Sequence, residues 1–110
     1  MPLDTAQDML KFIASLFKKG PDIGELLENG AVVIDVRSQQ EYKSGHVEGS
    51  RNIPLPNLQS KIASLKKQKK VIITCCASGM RSGKGAKILR QHGLDAHNGG
   101  PWQSLEKRRV

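Results

Sequence analysis

The sequence predicts an α/β fold, with a parallel sheet of four to five strands and helices on both faces of the sheet. Two runs of apolar and largely β-branched residues, 31–36 and 71–76, have the length of single buried strands. Segments with a helical spacing of apolar residues alternate with these runs, which is typical of parallel sheets because parallel strands need a crossover connection. A chain of 110 residues has the size of one domain with a modest core.

The chain begins with a predicted amphipathic helix in residues 1–20, which we expect to pack on a domain formed by residues 21–110. Its apolar residues fall on one face, and they are Met9, Leu10, Ile13, Leu16 and Phe17. This segment is not typical of a signal peptide, because acidic residues stand where a signal peptide is basic. We therefore expect a cytoplasmic protein.

The first half of the domain contains short elements with clear caps. Asp22 is the expected N-cap of a helix over 23–28, and the first apolar run follows as a strand. Ser38 and Glu41 have the spacing of a capping box, which predicts a helix that stops by Gly45.

The second half is organised around the second apolar run. A brief strand over 51–53, a helix that starts at Asn57 and an exposed basic turn over 66–70 precede this run. After it we expect a helix to about His92, with Gly93 as its C-cap. The remaining predicted elements are a strand over 94–97, a turn over 98–101 and a final helix over 102–109.

The formal net charge of +8 is concentrated in basic clusters at 18–19, 66–70 and 107–109. Such a charge attracts anions of many sizes, including nucleic acid. Aromatic residues make up only 4% of the chain, which argues against platforms for base stacking. We interpret the clusters as solvated surface and expect no nucleic-acid partner. We expect no membrane partner either, since no stretch reaches the ~18–20 apolar residues of a membrane span.

The most informative stretch joins the second apolar run to the helix after it. The run ends on Cys76, small residues with Gly79 follow, and a helical pattern begins at Arg81. A strand, a tight loop and a helix start form an anion cradle, because loop N–H groups point inward and the helix dipole is positive there. A cysteine in this place has a lowered pKa, so we predict Cys76 as a nucleophile. Cys75 lies inside the strand, where we expect it to be buried and inert.

Cysteine usage argues against two further classes of site. The chain has two cysteines, and they are adjacent. Adjacent cysteines rarely form a structural disulfide, so a disulfide-stapled scaffold is not expected. The spaced cysteine or histidine partners of a zinc site are not found in the sequence.

Two blocks of residues carry a family resemblance. The first consists of Ile34-Asp35-Val36-Arg37, Glu41-Tyr42, Gly45-His46-Val47, Gly49 and Asn52-Ile53-Pro54-Leu55. The second consists of Cys76-Ala77-Ser78-Gly79-Met80-Arg81-Ser82 and Gly99-Gly100. Together, in this order and spacing, the blocks resemble the single-domain rhodaneses of the thiosulfate sulfurtransferase family, most of all the small phage-shock rhodaneses. The resemblance implies a rhodanese-like domain over 21–110.

The resemblance also implies a ping-pong sulfur transfer. In it the Cys76 thiolate takes the outer sulfur of thiosulfate as a persulfide and passes it to cyanide or a thiol, and an acceptor protein is a further candidate. The implied binding residues are Ala77, Ser78, Gly79, Met80, Arg81 and Arg37. Arg37 either faces the pocket or pairs with Glu41 in a charge network that includes Asp35. No metal and no organic cofactor is implied.

Three further functions stay open. Counted from Cys75, the loop to Arg81 has the longer spacing that cysteine-dependent phosphatases and arsenate reductases of related fold use. Gly79 has the position that the motif requires only when the loop is counted from Cys76. This argues against Cys75 as the nucleophile. The second possible function is that of a rhodanese-like module that binds a partner. The third is that of a persulfide carrier that delivers sulfur to another protein.

Overall fold

A computed structural model describes residues 22–108 of the chain, and the predicted helix over 1–20 lies outside the described residues. The described helices are α1 (Ile23–Glu28), α2 (Gln39–Lys43), α3 (Ile62–Gln68), α4 (Met80–Gln91) and α5 (Trp102–Arg108). The strands are β1 (Val32–Asp35), β2 (Arg51–Asn52), β3 (Ile72–Cys76) and β4 (Ala96–Pro101). None of the helices between residues 22 and 108 is long and apolar enough to cross a membrane.

The four strands form one parallel sheet in the order β2-β1-β3-β4. This confirms the predicted α/β fold with a parallel sheet. Asp35 of β1 lies opposite Cys75 of β3, so both strands end at the same edge of the sheet. Ligands of open parallel sheets bind beyond this carboxyl edge. The segments that follow Asp35 and Cys76 therefore begin side by side at the edge where a ligand is expected.

The core lies on both faces of the sheet, because neighbouring residues of a strand point to opposite sides. All five residues of β3 are buried. One face packs against α3 and α4, and its buried residues include Ile34, Leu58, Leu65, Leu89 and Cys76. The other face packs against α1 and α5, and its buried residues are Val33, Val47, Ile73, Cys75 and Leu105. The predicted placement of helices on both faces is confirmed.

The α-helix predicted to start at Asn57 begins later in the structure. Residues 55–57 and 59–61 form two short 3-10 turns, and the α-helix begins at Ile62. Lys61 has φ −102° and ψ −2°, far from ideal α-helical values, so regular α-helical hydrogen bonding starts only after it. The basic stretch over 66–70 also differs from the prediction, since its first residues belong to α3 rather than to a turn.

The turn predicted over 98–101 is wrong, because these residues are the end of β4. Asn98 pairs with Thr74 and Pro101 pairs with Cys76, with a shift in register between these two pairs. A Cβ on Gly99 would lie 2.6 Å from the Ile73 side chain and 2.9 Å from the Thr74 carbonyl oxygen. The glycine is thus required by the close approach of two strands, and not by a reversal of the chain.

Candidate active site

The site lies where the chain leaves β3 and enters α4. Cys76 is the last residue of β3, and Gly79 stands just before the first residue of α4, Met80. Gly79 has a φ of 102°, and a Cβ added to it would lie 3.4 Å from the Gly100 Cα. A side chain would be strained at this φ, so the tight loop requires glycine here. We call residues 76–81 the cysteine loop.

The loop closes around the sulfur of Cys76, which has no exposed surface. The Gly79 N–H donates to Sγ at 3.0 Å, and the Ser82 N–H donates at 3.4 Å. The Ser82 Oγ lies 3.3 Å from the same sulfur. Several donors at a helix start therefore converge on one atom, which is the arrangement that stabilises a negative charge.

These contacts lower the pKa of the Cys76 thiol. Burial alone would raise this pKa, but hydrogen bonds from the Ser82 hydroxyl and from the N–H groups of Ser82, Gly79 and Ser78 outweigh burial. The opposite holds for Cys75, whose pKa is raised to about 12 by burial and by the charge of Asp35. At neutral pH the thiolate form is thus favoured at Cys76 over Cys75.

Arg81 lies at the rim of the loop in an ion pair with Glu41. Its Nη1 and Nη2 donate to the two carboxylate oxygens at 2.7 and 2.9 Å. Hydrogen bonds from Arg81 and then from the Ser38 backbone lower the pKa of Glu41 to about 2. Both partners are partly exposed, at 40% for Arg81 and 38% for Glu41. The positive charge that the sequence motif assigns to substrate binding is therefore shared with a carboxylate.

Arg37 is buried, and it pairs with Asp35 as the predicted charge network implies, while the carboxylate of Glu41 pairs with Arg81 instead. It is 4% exposed and forms a buried ion pair with Asp35 at 2.8 Å. Its Nη2 also donates to the Gly45 carbonyl at 2.6 Å, and its guanidinium lies 4.9 Å from the Trp102 ring centre. Because its Nε and Nη2 donors are engaged in the fold, we leave Arg37 out of the proposed binding site.

The remaining predicted binding residues form the rim. Ala77 and Ser78 are exposed, Gly79 is half-buried, and the Met80 side chain is 75% exposed. Their side chains offer little charge to a ligand, so any binding by this part of the loop has to use backbone N–H groups. Within residues 22–108 no cluster of three or more His, Cys, Asp or Glu side chains could hold a metal ion.

Two polar residues of the site are not predicted from the sequence. Ser82 belongs to the motif without an assigned role there, although the first helical turn after a loop points its free N–H donors back at the loop. Asn98 falls in the predicted turn that the structure replaces by β4. Its Nδ2 donates to the Gly79 carbonyl at 3.0 Å, and its Oδ1 accepts from Ser82 Oγ at 2.7 Å. No sequence signal marks Asn98, because this contact depends on the register of β3 and β4.

Comparison with known proteins agrees with this geometry. The family model described as "Rhodanese-like domain" matches residues 21–100. The Bacillus subtilis protein YqhL is 40% identical over 63 residues, which cover 57% of this chain and 49% of that protein. A protein named thiosulfate sulfurtransferase GlpE, from Pseudomonas paraeruginosa, is 30% identical over 74 residues, which cover 67% of each chain. The match thus spans about half of the first relative and two thirds of the second.

A solved structure gives the same result for the fold. The structure described as a rhodanese with anions from E. coli superposes with a TM-score of 0.62 at 32% sequence identity. The superposition covers 67% of this chain and 89% of that one.

Proposed function

This chain belongs to the family of rhodanese-like domains, and from that membership we propose that it is a sulfurtransferase that works through a persulfide on Cys76. The proposed donor is thiosulfate or a similar small molecule with a sulfane sulfur, and the proposed acceptor is cyanide or a thiol. The observation that carries the proposal is the convergence of Gly79 and Ser82 donors on the Cys76 sulfur. The cytoplasmic location stays a prediction.

The proposed reaction has two displacements at sulfur. The Cys76 thiolate attacks the outer sulfur of thiosulfate, a bond forms between the two sulfur atoms, and the sulfur–sulfur bond of the donor breaks. Its electron pair leaves with sulfite. The acceptor then attacks the outer sulfur of the persulfide, and the electron pair of that bond returns to Cys76 as the thiolate.

The loop suits this chemistry because its hydrogen-bond donors already point at the reacting cysteine. A persulfide keeps negative charge on its outer sulfur, one bond beyond Sγ. Fixed N–H groups stabilise such charge without reorganisation during the reaction. The sulfur itself is fully buried, so we infer that a small or narrow donor is favoured over a bulky one.

The contacts of Cys75 argue against the phosphatase frame. Cys75 packs in the core on the face of the sheet opposite to Cys76. Its pKa is raised to about 12 by burial and Asp35, so its thiolate is nearly absent at neutral pH. A phosphatase or arsenate reductase that uses Cys75 as nucleophile would need the opposite of both properties.

Steady-state kinetics test the proposed reaction class. We expect turnover of thiosulfate and cyanide with parallel lines in double-reciprocal plots, because sulfite leaves before cyanide binds. Intersecting lines would show that both substrates must be bound together and would contradict the persulfide route. A persulfide that forms but turns over only with a protein acceptor would instead identify a sulfur carrier.

Substitutions in the ion pair of Arg81 and Glu41 should change the KM for thiosulfate in opposite directions. Arg81→Ala removes the cation at the rim, and we expect the KM for thiosulfate to rise about 3–10-fold, since partly exposed charges are worth roughly 1 kcal/mol. Glu41→Gln frees the Arg81 charge, and we expect this KM to fall. The measurement is kcat and KM at low and high salt.

The matched control is Lys84→Gln, which removes an exposed cation from the same helix. It should leave the KM for thiosulfate nearly unchanged. If Arg81→Ala and Glu41→Gln also leave that KM at the wild-type value, the anion is bound by loop N–H groups alone.

A further inference from the structure

The side-chain amide of Asn98 has only one orientation that satisfies its neighbours. Its Nδ2 donates to the Gly79 carbonyl at 3.0 Å, and its Oδ1 accepts from the Gly100 N–H at 2.9 Å. A flipped amide would place oxygen against a carbonyl and NH₂ against an N–H, which loses both bonds. The oxygen of Asn98 is therefore fixed toward Ser82.

This orientation determines where the hydroxyl proton of Ser82 points. The Ser82 Oγ lies 2.7 Å from the Asn98 Oδ1, and that oxygen can only accept. A serine hydroxyl has one proton, so while it donates to Asn98 it presents only lone pairs to the Cys76 sulfur 3.3 Å away. In this state the sulfur has to be the donor of that contact, which requires a thiol.

We propose that Asn98 is a positioning residue that competes with the Cys76 sulfur for the hydroxyl proton of Ser82. When the sulfur becomes a thiolate or a persulfide anion, the hydroxyl turns from Asn98 to the sulfur. The bond from Ser82 that stabilises the anion thus forms at the expense of the bond to Asn98. This inference rests on Cys76 being the nucleophile of the proposed function, and it adds a residue of β4 that controls its charge.

The charged and titratable groups around the sulfur do not take part in this exchange. Arg81 on α4 faces Cys76 but is paired with Glu41 of α2. Cys75 precedes Cys76 on β3, and Asp35 lies opposite Cys75 on the neighbouring strand β1. Substitution of Asn98 by alanine leaves all four groups in place. It also removes the bond to the Gly79 carbonyl, so the Ser82→Ala background is needed to trace a change in the pKa of Cys76 to Ser82.

The test is a double-mutant cycle between Asn98 and Ser82, read out by the pH dependence of Cys76 alkylation. We expect Asn98→Ala to lower the apparent pKa of Cys76 by about one unit, because water that replaces the amide can donate as well as accept, and Ser82 is then free to turn to the sulfur. Ser82→Ala should raise this pKa. In the Ser82→Ala background, Asn98→Ala should have no further effect.

The proposal is overturned if Asn98→Ala raises the pKa, leaves it unchanged, or lowers it equally without Ser82. Should Asn98→Ala fail to fold, Asn98→Asp keeps the size and strengthens the acceptor. That variant should raise the pKa, and by less when Ser82 is replaced by alanine. Alkylation needs no sulfur donor, so a failure of sulfur transfer with an intact cycle would contradict the proposed function alone.

Discussion

The Cys76→Ser variant should lose sulfur transfer down to the background rate. A serine hydroxyl is not ionised at neutral pH, and it cannot form the persulfide that links the two half-reactions. The loop donors from Gly79 and Ser82 remain in place, so the variant should still fold. The measurement is thiocyanate production from thiosulfate and cyanide, together with a thermal unfolding curve.

The control is Cys75→Ala, which we expect to keep most of the activity. Cys75 is fully buried and packs on the opposite face of the sheet, with Val33 and Ile73. Its truncation weakens that core without touching the cysteine loop. Activity that survives in a folded Cys76→Ser variant, or disappears in a folded Cys75→Ala variant, would show that Cys76 is not the nucleophile.

Arg37→Ala should destabilise the fold by about 3–5 kcal/mol, because it leaves the carboxylate of Asp35 buried without its charged partner. Asp35 has no exposed surface, and its oxygens accept from the backbone N–H, Nε and Nη2 of Arg37. The substitution also removes the donor to the Gly45 carbonyl and the cation over Trp102. Such a loss is a large part of a typical stability of about 5–15 kcal/mol. Urea unfolding measures it.

Arg81→Ala is the matched control, since it breaks a partly exposed arginine–carboxylate pair in the same domain. Exposed pairs contribute about 0.2–1 kcal/mol, so the urea midpoint of this variant should change little. Equal effects of Arg37→Ala and Arg81→Ala would contradict the structural role assigned to Arg37. Asp35→Asn combined with Arg37→Met should recover part of the stability, because no unpaired charge then remains buried.

The fold was largely predictable because its central elements carry strong local signals. The apolar run that becomes β3 has the length and β-branched composition of a buried strand, and the capping box of Ser38 and Glu41 is formed as its spacing indicates. The end of β4 was not predictable. Consecutive glycines after an asparagine indicate a turn locally. In the structure Gly99 is required for another reason, because two strands approach too closely there for a side chain.

The part of the site that is formed by one continuous segment of the chain was predictable. The sequence alone places Cys76 at the strand end and Gly79 in the loop before the helix, as the structure does, although the helix begins at Met80 and not at Arg81. The ion-pair partner of each arginine was not predictable. The sequence offers Asp35 and Glu41 as partners for Arg37 and Arg81 and does not decide between them. In the structure Arg37 pairs with Asp35, two residues before it, and Arg81 pairs with Glu41, 40 residues before it.

Intact-mass analysis after treatment with thiosulfate tests the persulfide on Cys76 most directly. Wild type and Cys75→Ala should each gain the mass of one sulfur atom, the gain should disappear when cyanide is added, and Cys76→Ser should gain nothing. A gain of one sulfur in Cys76→Ser, or no gain in wild type with any small sulfane donor, would contradict a persulfide on Cys76.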